Sequence, residues 1–84
     1  MDRRLRIDFR SPEPSYKQLA DQLRDAISSG EISPGEALPS LSQMVTETGL
    51  SMSTVQRAVR VLVGEGLVVG VPGRGLFAGP RGDG

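Results

Sequence analysis

Residues 51–62, SMSTVQRAVRVL, bring hydroxyl, amide and guanidinium groups together within about three helical turns. At 3.6 residues per turn, four aliphatic side chains share one face of a helix: Val55, Ala58, Val59 and Leu62. The opposite face presents Ser53, Gln56, Arg57 and Arg60. None of these is a carboxylate, although a solvated face on a protein of zero net charge ordinarily mixes both signs. The acidic residues therefore avoid this face.

Groups of this kind can recognise the edges of base pairs and the phosphates beside them. Glutamine can bond the N6 and N7 atoms of adenine, and arginine can bond the O6 and N7 atoms of guanine. A helix in the major groove uses its N-terminal half for such contacts, and here that half carries Ser51, Met52, Ser53, Gln56 and Arg57. The alternative is a solvated face whose arginine stems lie along the surface, and this face by itself does not separate the two.

A second candidate is the stretch VPGRG, which places Arg74 between Gly73 and Gly75. Valines before this stretch and the apolar residues Leu76 and Phe77 after it predict a hairpin. Glycines allow close backbone approach, and a single arginine at a thin tip suits a narrow minor groove. An ordinary hairpin turn with an incidental arginine is the alternative. A phosphate loop is excluded, because the Lys-Ser/Thr pair and a following helix are missing.

The elements that position these groups can be read from periodicity and turn residues. Apolar residues at helical spacing predict a helix over about residues 15–29, begun by a capping box of Ser15 and Gln18. Helices over about 41–48, capped by Ser40, and 52–64, capped by Ser51, flank a tight turn at Gly49. The fold class predicted is mainly α with a small β-hairpin, a three-helix winged helix–turn–helix.

The N-terminal residues 3–10 alternate, with Leu5, Ile7 and Phe9 on one side and charged residues on the other. This pattern predicts a short half-buried strand or an arm packed along the domain. We expect an ordered arm in preference to one that contacts DNA. The expected division is an arm over residues 1–14, a DNA-binding domain over 15–79 and a flexible tail over 80–84.

Composition restricts the class of function. The 84 residues contain neither cysteine nor histidine, which removes disulfides, thiol chemistry and the usual zinc ligands. No nucleophile is paired with a base, so we expect no enzyme, no metal and no cofactor. No segment reaches the roughly 18 apolar residues of a membrane span, and no signal peptide is present, so cytoplasmic residence is expected. The formal net charge is zero because residues 11–49 carry six carboxylates against two cations, while both ends are basic.

Three stretches together resemble the N-terminal winged helix–turn–helix domain of the GntR family of bacterial regulators. They are SYKQLADQLRDAISSGEISPGEALPS, TGLSMSTVQRAVRVLVGEGLV and GRGLFAG. The resemblance implies a sequence-specific regulator, a repressor in preference to an activator, that binds palindromic operators as a homodimer. It implies that Ser40 contacts a phosphate, that Ser51, Ser53 and Thr54 occupy the hydroxyl positions of the recognition helix, and that Gly73 approaches the minor groove. Gln56 stands where the family often has arginine.

The sequence departs from the family pattern at two positions that usually carry arginine, which are Ser42 and Met52 here. The usual guanine contacts are thereby weakened. No effector-binding domain is visible in this chain, so either a stand-alone regulator or an excised domain is expected. The DNA-binding set predicted is Ser40, Ser51, Met52, Ser53, Thr54, Gln56, Arg57, Arg60, Gly73, Arg74 and Gly75. The alternative function is a winged-helix protein–protein interaction module, which would expose apolar or aromatic anchors.

Overall fold

The computed structural model describes residues 4–79 and contains three helices followed by a two-stranded hairpin. Helix α1 spans Ser15–Ser28, α2 spans Leu41–Thr48 and α3 spans Met52–Gly64. Strand β1, Val68–Val71, pairs with β2, Gly75–Ala78, in an antiparallel register that sets Val69 opposite Phe77. The helix and hairpin predictions are confirmed. The predicted tail, residues 80–84, lies outside the described residues.

The N-terminus of α1 differs from the sequence prediction. Pro14 is the N-cap and no side chain caps the helix, so the predicted capping box of Ser15 and Gln18 is wrong. The reason is that Gln18 is committed elsewhere. Its amide donates to the carbonyls of Asp8 and Glu13 at 3.0 and 2.9 Å, and its Oε1 accepts from the amide of Asp8 at 2.8 Å.

Residues 4–8 form an arm without strand structure, because its backbone bonds to side chains. Gln22 accepts from the amide of Arg6 at 2.9 Å and donates to its carbonyl, and Glu47 accepts from the amide of Leu5 at 3.3 Å. Leu5 is buried and Ile7 is half-buried, as the alternation predicts. Phe9 is an exception to the alternation, since it is 66% exposed. The alternation fails there because the chain turns at residues 9–10 before the prolines.

Part of the connector between α1 and α2, residues 36–38, pairs with β2 and forms a third edge of the hairpin. The sequence did not predict this pairing. Ala37 forms an isolated antiparallel bridge with Phe77. The amide of Leu38 donates to the backbone carbonyl of Leu76 at 2.9 Å, and the amide of Ala78 donates to the backbone carbonyl of Glu36 at 2.9 Å. The start of α2 is thereby held beside the hairpin.

The core lies where α1 and α3 pack together, with α2, the hairpin and the arm around them. Its largest fully buried side chains are Leu5, Leu19, Leu23, Ile32, Met44, Val55, Leu62 and Val68. The aliphatic face predicted for residues 52–64 is buried in full. The polar face of α3 is therefore the one that remains outside.

Candidate nucleic-acid interface

The turn between α2 and α3 sets the direction of α3. Gly49 follows α2 with a φ of 76°, a left-handed conformation in which a side chain would be strained. The hydroxyl of the buried Thr48 donates to the carbonyl of Met44 at 2.6 Å and accepts from the amide of Leu50 at 3.2 Å. Leu50 is buried in the turn. Because these contacts fix the turn, the N-termini of α2 and α3 have a defined relative position.

Both of these N-termini carry a capping serine. Ser40 accepts from the amide of Gln43 at 3.1 Å, and Gln43 accepts in return from the amide of Ser40 at 3.0 Å, which confirms the predicted capping box. Ser51 accepts from the amide of Thr54 at 3.2 Å and lies 2.9 Å from its hydroxyl. A hydroxyl that accepts as a cap keeps its own O–H as a donor. Ser40 is exposed, so its O–H can reach a phosphate.

An open groove of about 820 Å³ separates the helix–turn–helix from the hairpin. It is lined by the start of α2, by the first turns of α3 and by residues 70–76 of the hairpin. The helical side chains that line it are Ser40, Leu41, Ser42, Met52 and Gln56. The groove is therefore a cleft with α3 on one side and the hairpin on the other.

The structure divides the candidate residues into two groups. Six of them line the groove together: Ser40, Met52, Gln56, Gly73, Arg74 and Gly75. The other five lie outside it: Ser51, Ser53, Thr54, Arg57 and Arg60. Of these five, all but the half-buried Thr54 are exposed. Leu41 also lines the groove and was missed by the sequence reasoning, because only the third edge of the hairpin brings the start of α2 to it.

The hairpin tip is a tight turn. The amide of Arg74 donates to the carbonyl of Val71 at 2.9 Å, and Gly73 has a φ of 77°. A proline followed by a glycine with positive φ is typical of a type II turn. Arg74 is exposed at this tip and lines the groove.

Among the described residues that line the groove, Arg74 carries the sole charge. Three carboxylates, those of Glu13, Asp21 and Glu65, form ion pairs and do not line the groove. Lys17 pairs with Glu13 and Asp21 at 3.4 and 3.2 Å, and Arg24 pairs with Asp21 and Glu65 at 2.6 and 2.8 Å. The groove is thus free of carboxylates within residues 4–79, which favours an anionic occupant.

These ion pairs shift the pKa values of their members. The hydrogen bond from Arg24 lowers the pKa of Asp21 and that of Glu65. The hydrogen bonds of Lys17 to Asp21 and Glu13 raise the pKa of the ammonium, and those of Arg24 to Glu65 and Asp21 raise the pKa of the guanidinium. In each case the shift favours the charged form of the group.

Arg57 does not extend freely from α3. Its guanidinium carbon lies 3.8 Å from the centroid of the Tyr16 ring on α1. The ring of Tyr16 is half-buried. A contact between residues 41 positions apart leaves no local signal, so only the packing of α1 on α3 reveals it.

The described residues contain no group of three or more side chains that could hold a metal ion. The longest helix within residues 4–79 has 14 residues, and none is long and apolar enough to cross a membrane. What the groove offers is hydrogen-bond donors and acceptors, one cation and exposed backbone.

Residues 15–77 match the family model described as bacterial regulatory proteins, gntR family. The chain belongs to the GntR family. The resemblance noted from the sequence is therefore confirmed, as is the expectation of a DNA-binding transcription regulator of this family. The divisions after residues 14 and 79 stay predictions.

GntR-family relatives of known regulatory role share this domain. The chain is 42% identical over 65 residues to the mannosyl-D-glycerate transport/metabolism system repressor MngR of Escherichia coli, covering 77% of this chain and 27% of that protein. It is 40% identical over 73 residues to the repressor NagR of Bacillus subtilis, covering 87% of this chain and 30% of the relative. The chain thus spans less than a third of the length of these two relatives.

Solved GntR-family structures share the fold. The transcription factor YtrA from Sulfolobus acidocaldarius superposes with a TM-score of 0.84 at 38% identity, covering 94% of this chain and 83% of that one. The DNA-binding domain of AraR, solved in complex with an operator, gives a TM-score of 0.82 at 28% identity, covering 90% and 98% of the two chains. The predicted winged helix–turn–helix is thereby confirmed.

Proposed function

We propose that this domain binds operator sequences in double-stranded DNA, with α3 in the major groove and the hairpin tip, residues 72–75, in the adjacent minor groove. The observation that carries the proposal is the carboxylate-free groove, which joins the N-termini of α2 and α3 to the hairpin. The cleft has α3 on one side and the arginine tip of the hairpin on the other. It can therefore hold the DNA strand that separates the major groove from the minor groove. The AraR domain, which was solved with an operator, supports this occupant.

Within this proposal, the groove-lining residues divide the recognition of DNA. Gln56 and Met52 face the base edges, Gln56 through its amide and Met52 through apolar contact. Ser40 donates to a phosphate from the start of α2, where the backbone amides of the helix also favour an anion. The start of α3 carries a cluster of three hydroxyls, those of Ser51, Ser53 and Thr54. This cluster contacts the DNA strand on the other side of the major groove. Arg60 is exposed on the same polar face and interacts with the backbone of the duplex.

The hairpin contributes less sequence information than α3. Arg74 enters the minor groove, whose edges distinguish little more than A·T from G·C pairs. Gly73 and Gly75 have no Cβ atoms, so the backbone at the tip can approach the sugars closely. Arg74 therefore contributes mainly affinity.

A protein partner fits the groove less well than DNA does. Protein interfaces are built around apolar or aromatic anchors. The large hydrophobic side chains exposed among residues 4–79 are Phe9, Met52, Val63 and Val69, and of these only Met52 lines the groove. The polar lining matches a nucleic-acid surface instead.

The biological setting follows from the family. MngR and NagR are named repressors. We infer that this protein represses transcription in the cytoplasm, and that two copies bind a palindromic site, each reading one half. Neither a metal nor a cofactor is required for the contacts proposed.

Selection of binding sites from random duplex DNA tests the proposal. The enriched duplex is then titrated in a fluorescence anisotropy assay against a scrambled duplex, at salt concentrations from about 50 to 200 mM. We expect an enriched half-site, tighter binding of the selected duplex and a steep loss of affinity with salt. Sedimentation of the complex gives the number of copies per site.

A charge-matched control separates the groove from general electrostatics. Arg6→Ala removes one cation from the exposed side of the arm, while Arg74→Ala removes one from the groove. Equal losses of affinity in the two variants would contradict the proposed interface. No enrichment of any sequence, together with capture of a defined peptide partner, would favour the protein-interaction module instead.

A further inference from the structure

The guanidinium of Arg57 is held against a ring of another helix. Its central carbon lies 3.8 Å from the ring centroid of Tyr16, well within the roughly 6 Å over which a cation is attracted to an aromatic face. Tyr16 belongs to the first turn of α1, whereas Arg57 belongs to the second turn of α3. The arginine of the recognition helix is therefore fixed from outside that helix.

The contact directs Arg57 away from the groove. Successive residues of a helix differ in direction by about 100°, so Gln56 and Arg57 diverge around α3. Gln56 lines the groove between α3 and the hairpin, and Arg57 does not. Arg57 lies instead on the flank that faces α1. The two side chains that the sequence placed together at base edges thus lie on different sides of α3, one next to the hairpin and the other next to α1.

The stacked guanidinium keeps its hydrogen-bond donors. Stacking occupies a face of the planar group, while its N–H bonds lie in the plane and remain directed outwards. Within residues 4–79, Arg57 forms no ion pair with a carboxylate. The carboxylates of Glu13 and Asp21 pair with Lys17 and Arg24 instead. An exposed, pre-oriented arginine with unpaired donors is suited to a phosphate.

We propose that Tyr16 is a positioning residue that holds Arg57 as an anchor for a DNA phosphate, on the α1 side of the recognition helix. The inference rests on the proposed function and assigns Arg57 to the backbone of the duplex instead of to a base. With Arg74 beyond the opposite side of α3, the domain then contacts the DNA backbone on both sides of the helix that reads it. The ring reduces the conformational freedom that Arg57 would otherwise lose on binding.

Four variants of the full chain test the positioning role. Tyr16→Phe keeps the ring and removes its hydroxyl, Tyr16→Leu removes the ring, Arg57→Gln removes the charge, and the fourth combines the last two. Each is titrated with the selected duplex and with a scrambled duplex over a range of salt concentrations. Circular dichroism and thermal melting show that each variant is folded. Tyr16→Met, which also lacks a ring, replaces Tyr16→Leu if that variant melts below the assay temperature.

We expect Tyr16→Phe to bind like the wild type. Tyr16→Leu should weaken binding of both duplexes by the same factor, roughly two- to fivefold, because Arg57 then loses more conformational freedom when it binds a phosphate. Arg57→Gln should lower the slope of log affinity against log salt by about 0.9, the contribution of one phosphate. Tyr16→Leu should have no further effect once Arg57 is glutamine.

Other outcomes overturn the inference in distinguishable ways. A loss in Tyr16→Phe equal to that in Tyr16→Leu would show that the hydroxyl itself contacts DNA. An additive loss in the double variant would show that Tyr16 acts independently of Arg57. A change in the ratio of specific to scrambled binding in Arg57→Gln would make Arg57 a reader of bases. If the wild type binds no duplex even at about 50 mM salt, the proposed function fails and this inference fails with it.

Discussion

Arg24 of α1 donates from Nε and Nη2 to the two carboxylate oxygens of Glu65, at 2.9 and 2.8 Å. Glu65 is the C-cap of α3, so this paired hydrogen bond ties the first helix to the end of the recognition helix. The sequence predicted only that the helix ends near residue 64. Arg24 stands 41 residues before Glu65, and the pair forms because α1 packs against α3.

The Arg24–Glu65 pair makes stability depend on acid pH. Arg24 lowers the pKa of Glu65 in the folded chain below its ordinary value of 4.5. A lowered pKa means that the unfolded chain binds the proton more readily. The stabilisation is therefore complete above about pH 4.5 and is lost as the pH falls through the lowered pKa. Asp21, whose pKa Arg24 also lowers, adds to the same dependence.

We expect Glu65→Gln to reduce the free energy of unfolding at pH 7 by roughly 0.5–1 kcal/mol, because both side chains are more than a third exposed. The difference from the wild type should shrink as the pH falls through the lowered pKa of Glu65, below which its carboxyl is protonated in both the folded and the unfolded chain. Urea denaturation at a series of pH values measures it. Glu47→Gln is the control, since its side-chain carbonyl can still accept from the amide of Leu5. Equal pH profiles for Glu65→Gln and the wild type would contradict the coupling.

Gly49→Ala tests the turn that directs α3. We expect a loss of about 1–2 kcal/mol, the cost of a left-handed conformation for a residue with a Cβ. Since an added Cβ would meet nothing within 4 Å, the loss comes from the backbone alone. Gly64→Ala is the matched control, because Gly64 also has free space and lies in the last turn of α3 without a positive φ. Gly64→Ala should leave the stability unchanged or raise it. An equal fall of the urea midpoint in the two variants would contradict the role given to the left-handed conformation.

Thr48→Val should cost about 1–3 kcal/mol in free energy of unfolding. The variant keeps the shape of the side chain but leaves the amide of Leu50 and the carbonyl of Met44 without the hydroxyl they bond. Thr48→Ser retains the hydroxyl and should lose less. Hydrogen exchange at the amide of Leu50 provides a local measurement, and it should quicken in the valine variant only. Unchanged exchange would place the stability of the turn elsewhere.

Leu5→Ala tests whether the arm is part of the folded domain. Leu5 is 1% exposed and packs into the core, so its truncation should cost about 2–5 kcal/mol. Phe9→Ala removes a larger side chain four residues later, which is 66% exposed, and should change stability by less than about 0.5 kcal/mol. Thermal melting of the two variants compares them directly. Similar losses would mean that the arm contributes through its backbone contacts instead.

Gln56→Ala and Arg74→Ala should separate specificity from affinity. We expect Gln56→Ala to reduce the preference for the selected duplex over single-base variants at one position of each half-site, by about 1–3 kcal/mol. Arg74→Ala should weaken binding to all duplexes more evenly and lower the salt dependence. Anisotropy titrations against a panel of single-base variants give both quantities. A uniform loss for Gln56→Ala would remove it from the base-reading set.

Much of the fold could be predicted because its signals are local. The caps at Ser40 and Ser51 and the turn at Gly49 each depend on residues within about four positions of one another. Periodicity then gave the buried face of α3, because one helix face repeats every three or four residues.

The division of the polar face of α3 was decided only by the tertiary structure. The sequence placed Gln56 and Arg57 on one reading surface, since neighbouring residues share a helix half-turn. Packing separates them, because the hairpin lies beside Gln56 while the ring of Tyr16 lies beside Arg57.

The sequence by itself determined which residues form helices, which serine begins each of the last two, and which side of α3 is buried, since these depend on short-range hydrogen bonds and on hydrophobic period. Only the tertiary structure decided the third edge of the hairpin, the anchoring of the arm and the ties from α1 to α3. Such contacts join residues far apart in the chain, and their partners are selected by how the elements pack together.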